Sequence, residues 1–172
     1  MGGLSSAVGR LAAGAAGGAV GTLAMDLTWY ARHRRDGGTQ RFVDWETAVE
    51  TTSYEDAPAP GQVGRKLAAV VLRREPSPSS ARAMTNAVHW ATGVQWGMVG
   101  GLAMPVLRSV GPLPAGVALA TVAFGASYVV LPLLGVYKPI WQYDRTVILQ
   151  DATAHLVFGI TGAAVTSAIA GR

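Results

Sequence analysis

The chain has no cysteine, so neither a disulfide framework nor a thiolate metal site is open to it. Charge is scarce too: 14% of its 172 residues are charged, against about 25% in an ordinary soluble domain. Histidine is limited to His33, His89 and His155, so imidazole chemistry near neutral pH must fall on one of these. No strand-like segment precedes the glycine run Gly14, Gly17, Gly18 and Gly21, which excludes a phosphate-binding loop. What is abundant is apolar surface: half of the residues are hydrophobic and the mean hydropathy is positive, which excludes a disordered chain.

The few charges are bunched, and they leave four long intervals almost free of Lys, Arg, Asp and Glu. These lie between Arg10 and Arg32 (interrupted by Asp26), Arg82 and Arg108, Arg108 and Lys138, and Asp151 and Arg172. Each could cross a hydrocarbon core of about 30 Å, which needs roughly 20 helical residues. A cleaved signal peptide is not expected, because the first apolar stretch runs on through Leu27, Trp29 and Tyr30 into Arg32, Arg34 and Arg35. The expected fold is an all-α membrane protein with a single transmembrane domain over residues 1–172. Its four transmembrane helices, at about residues 8–31, 81–107, 114–136 and 151–170, form an antiparallel bundle.

Apart from Arg10, Arg108 and Arg172, every Lys and Arg lies in, or at the edge of, the connection between the first and second apolar intervals or that between the third and fourth. Basic loops stay inside, so both termini are expected outside and the 32–80 connection in the cytoplasm. The sequence pI of about 9.9 follows from this bias, and no aromatic-interleaved basic surface points to a nucleic acid. The partner is the lipid bilayer, to which a homodimer or another membrane chain could be added through glycine-rich faces.

Two short amphipathic helices are expected in the long loop, separated by the proline-rich segment 57–61. One carries Phe42, Trp45 and Val49; the other carries Leu67, Val70, Val71 and Leu72 between basic ends, a pattern suited equally to the membrane interface or to capping the bundle from below. Ser79 or Ser80 is expected to open the second span, Pro132 to kink the end of the third, and Asp151 to cap the fourth. His33 reads as a solvated loop residue.

Ionisable residues within a span are costly, normally face the bundle interior and have partners. Asp26, His89 and His155 lie within seven residues of Arg32, Arg82 and Asp151 respectively, which places them at a common depth of roughly 6–11 Å. Each also heads a stripe of small residues at a spacing of four: Thr22, Gly18 and Gly14; Gly93, Gly97 and Gly101; Gly159, Ala163 and Ser167. Such stripes let transmembrane backbones approach closely, so the three side chains are expected to converge between the first, second and fourth spans. A structural hydrogen-bonded lock, a proton or cation relay, and a metal centre are the three readings of that convergence. No HxxxH or HExxH pair supports the metal, and no cofactor or catalytic constellation is expected.

His89-Trp-Ala-Thr-Gly93 and His155-Leu-Val-Phe-Gly159 repeat a His followed by Gly four residues on, a hint of two helical hairpins in parallel repeat. Together with Leu131-Pro-Leu-Leu-Gly-Val136, Pro139 and Trp141, these segments make residues 89–165 resemble the YagU-like family of small bacterial inner-membrane proteins. The resemblance implies a multi-helix inner-membrane protein of undefined biochemistry linked to acid resistance. It carries the family's second- and fourth-span histidines onto His89 and His155. A further family histidine, near the end of the third span, is Ser127 here, and Asp26 could supply the missing group.

Overall fold

The computed structural model describes residues 2–170, and those residues form helices, turns and loops without a strand. The α-helices are α1 Gly2–Arg35, α2 Phe42–Glu46, α3 Ala59–Leu72, α4 Ala81–Leu107, α5 Pro112–Leu133 and α6 Arg145–Ala170. Arg172, which bounds the last apolar interval, lies outside the described residues. By length and composition, Ser6–Arg35, Pro112–Leu133 and Arg145–Ala170 can each cross a membrane. At 27 residues α4 is long enough, but Arg82, Asn86, His89, Gln95 and its four glycines dilute its hydropathy, and it is not among the three.

Helix ends follow local chemistry. α1 takes in the basic cluster Arg32, His33, Arg34 and Arg35 as its last turn, the end at which the helix dipole favours positive charge. The Arg32 guanidinium lies 4.8 Å over the Trp29 ring and donates to the Gln150 carbonyl at 2.7 Å, tying the end of α1 to α6. α5 stops at Leu133, just past Pro132, and Gly135 takes a left-handed φ of 63° to turn the chain. Ser79 and Ser80 form a 3-10 turn leading into α4. Asp151 does not cap α6, the helix that covers the fourth apolar interval. The Asp144 carbonyl accepts the Ile148 N–H at 3.2 Å, so the helix starts earlier and Asp151 stands inside it.

Small residues hold the helices together. α1 packs against α4 on one face and α6 on another, α5 packs on α6, and α3 lies against the first turns of α4. Along α1 and α4, Gly14 and Gly18 meet Gly97 and Gly93, while Gly101 rests on the Arg10 carbonyl. A Cβ at Gly97 would run into the Gly14 carbonyl and the Gly18 backbone, so only glycine permits this approach. Buried Thr22 completes the seam, donating to the Gly18 carbonyl at 2.8 Å and covering Gly93. Between α1 and α6, Gly17 and Gly21 meet Gly162, Thr166 and Phe158.

Gly159 corrects an expectation: it meets Gly116 and Ala120 of α5, not α1. α6 has two faces of small residues, and the one beginning at His155 belongs to the α5 seam.

Bulky apolar side chains are distributed outward, as suits helices apolar enough to cross a membrane. The buried positions are mostly alanine, glycine and threonine, among them Ala13, Ala115, Ala120, Ala154 and Thr166, while Leu133 and Val106 are 82% and 80% exposed. A water-soluble domain of this composition would bury those branched side chains first.

Candidate cation site

Asp26 and His89 sit at the same end of the α1/α4 seam, each one turn beyond the last small pair, Thr22 and Gly93. Regular packing along the seam fixes their encounter: His89 Nε2 lies 3.0 Å from both carboxylate oxygens of Asp26. The Asp26 side chain is only 6% exposed, whereas that of His89 is 30% exposed and forms the open side of the pair.

A third group comes from the loop. Glu46 ends α2, and a donor atom from each of Asp26, Glu46 and His89 lies within 4.8 Å of the other two. Two sets of contacts put Glu46 there. On the α1 side, Tyr30 packs edge-on against Phe42 at 5.2 Å and lies 5.6 Å from Trp45, and its hydroxyl donates to the Gln40 carbonyl at 2.9 Å. On the α4 side, Arg82 Nε and Asn86 Nδ2 both donate to the Thr47 carbonyl at 3.0 Å. The residue after Glu46 is thereby pinned to the first turns of α4. His33 is not a solvated loop residue: its ring stacks on Tyr30 at 6.1 Å and lies 6.0 Å from Trp45.

Burial, and then the neighbouring charge of Asp26, push the Glu46 carboxyl above its ordinary range. Hydrogen bonds with Asp26 and from the Trp90 indole engage this carboxyl, while its Oε1 is buried without a hydrogen-bond partner. Two carboxylates at such a separation repel by on the order of 3 kcal/mol at an effective dielectric constant of about 20. One imidazolium offsets only part of two negative charges. Chemically, the three groups could share a proton between the carboxyls or hold a metal ion.

His155 does not join Asp26 and His89. Its Nδ1 lies 3.0 Å from the Asp151 carbonyl and 3.1 Å from the Asp151 carboxylate, and its ring meets Phe124 of α5 edge-on at 5.5 Å. The Tyr128 hydroxyl also bonds the Asp151 carboxylate. Tyr128, Tyr137 and Tyr143 cluster around it with ring centroids 5.6 to 6.1 Å apart. Burial and the Asp151 charge push the Tyr137 phenol up to about 12. The expected trio is thus two groups: Asp26 with His89 and Glu46, and His155 with Asp151 and the tyrosines.

Sequence reasoning missed Glu46, because it stands beside Asp44 and Glu50 in what reads as a solvated acidic face. The available signal was its neighbour Trp45, which together with Phe42 packs on Tyr30 at the aromatic end of α1. Comparisons with protein-family models, with curated proteins and with solved structures give no match to this chain.

Proposed function

We propose that this chain is a small integral membrane protein of four spans, packed as an antiparallel bundle, that handles protons or metal cations at Asp26, Glu46 and His89. The observation that carries the reading is the convergence of two carboxyls and an imidazole, from three separate elements, at the end of a glycine seam. Ionisable groups at such depth are costly to insert, and in membrane proteins they commonly line proton or ion paths.

The case for a fourth span comes from packing. α4 contacts α1 from Gly101 on Arg10 to His89 on Asp26, and that stretch of α1 covers about 24 Å at about 1.5 Å per residue. A helix touching a spanning helix over that length shares its slab of membrane. The basic bias of the connections supports a loop on the cytoplasmic side and termini outside, and the resemblance to YagU-like proteins supports a bacterial inner membrane and a role in acid tolerance.

The test is flux in sealed liposomes carrying the purified protein and a pH-sensitive or metal-sensitive dye inside. Wild type conducts protons or divalent cations, Asp26→Asn and Glu46→Gln lose the flux with helix content intact, and His155→Ala keeps it. A wild type that moves neither kind of ion sinks the proposal.

A structural or assembly subunit is the second reading. It relied on glycine faces free to bind another chain, but Gly14, Gly18, Gly93, Gly97, Gly101 and Gly159 all meet backbone or side chains within this chain. With those faces occupied, the cation reading is the stronger.

A further inference from the structure

We infer that Asp26, Glu46 and His89 form a binding site for one divalent first-row transition-metal ion. The inference rests on the cation-handling reading and specifies its ligand. The donor set is one imidazole nitrogen and two carboxylates, each from a different element, with their donor atoms within 4.8 Å of one another. Metal–ligand bonds of about 2.0–2.2 Å require donors roughly 3 to 3.5 Å apart, and His89 Nε2 is already 3.0 Å from the Asp26 oxygens. Only Glu46 has to close in, and its Oε1 is buried without a hydrogen-bond partner.

The chemistry of the set narrows the ion. Magnesium and calcium favour all-oxygen shells, whereas an imidazole with carboxylates suits zinc, cobalt, manganese or ferrous iron. Three protein ligands leave at least one position open to water or to a passing ligand. The supports around the ligands are those a metal site needs: the Trp90 indole on the Glu46 carboxyl, and the Thr47 carbonyl held by Arg82 and Asn86. Entry is from the His89 side, since Asp26 closes the bottom of the site.

The experiment uses the full chain in detergent, stripped with a chelator and titrated with Co²⁺ followed by visible absorption, with Zn²⁺ in competition and metal analysis for stoichiometry. The inference expects one Co²⁺ per chain, displaced by Zn²⁺ but not by millimolar Mg²⁺. Glu46→Gln and His89→Gln should weaken binding at least about 100-fold, with circular dichroism unchanged, while His155→Gln binds as wild type does. Glu46→Gln is isosteric and lies outside the spanning helices, so it keeps the test clear of folding defects. Wild type that binds neither Co²⁺ nor Zn²⁺ saturably, or variants that bind with wild-type affinity, would overturn the inference. The two readings fail separately: proton flux persisting in chelator without metal binding removes this inference alone, and metal binding without flux removes the handling role alone.

Discussion

At Gly97 a single added methyl has nowhere to go, because the backbone of α1 occupies the space on that side of α4. Gly97→Ala is therefore expected to destabilise the fold by about 1–3 kcal/mol, the usual cost of forcing extra bulk into a packed interface. Gly125 is the contrasting case. It is helical with open space around its missing Cβ, so Gly125→Ala is expected to be neutral or stabilising by up to about 1 kcal/mol from helix propensity. Denaturant titration of the two variants, followed by circular dichroism, checks the pair; equal midpoints would mean that the glycine seam carries no packing constraint. These positions were legible in the sequence, since a spacing of four marks one helical face, and Asp26 and His89 could be paired by counting along it. Asp56 makes a different argument. Hydrogen bonds from Ser53 and Thr52 to its carboxylate hold it down at about 2, below its ordinary 3.8. A depressed acid stabilises the folded turn above its unfolded value, and that contribution is lost as the pH falls from about 3.8 through about 2. The amide resonances of Ser53 and Thr52 should accordingly hold their positions down to pH 4 and move together below it. In Asp56→Asn the acid-induced movement should be absent.

Among the elements, α2 is the least conspicuous in sequence and the one on which the site most depends. Its five residues are too few to be stable alone, so its position comes from Phe42 and Trp45 packing on Tyr30 and from Thr47 bonding to Arg82 and Asn86. Trp45→Ala removes the largest of these contacts and leaves every proposed ligand in place. It is expected to weaken Co²⁺ binding by about tenfold, corresponding to about 1.4 kcal/mol, with the helix content retained. Unchanged affinity would show that Glu46 is not positioned by the aromatic docking. Periodicity located Phe42 and Trp45 but could not say which surface they would cover, and Glu46 depended on that surface. His155 failed for a related reason. α6 presents small residues toward both α1 and α5, and a stripe read from one sequence does not say which neighbour it serves. Asp151 went wrong because an acid near the start of an apolar run resembles a cap, while the helix begins before the apolar run does.

For the molecule as a whole, the question is how many times the chain crosses the bilayer. Hydropathy identifies three helices by length and composition, because the fourth carries the polar residues that meet Asp26, Glu46 and the loop. The polar residues that bring α4 to the candidate site are the same ones that lower its hydropathy, so composition alone does not decide whether it spans. The distinction has a consequence for parity. If α4 spans, the loop after α2 and the turn between α4 and α5 lie on opposite faces of the membrane; if it does not, they share a face. The chain has no cysteine, so single replacements give an unambiguous label. Glu50→Cys and Ser109→Cys both place the thiol at exposed positions clear of the proposed ligands. In intact cells a membrane-impermeant maleimide is expected to label Ser109→Cys and to spare Glu50→Cys until the membrane is permeabilised. Labelling of both before permeabilisation, or of neither, would put α4 on one side of the bilayer, and the α1/α4 seam could not then be a membrane-buried interface. Labelling of Glu50→Cys alone would keep four spans and reverse the orientation inferred from the basic loops.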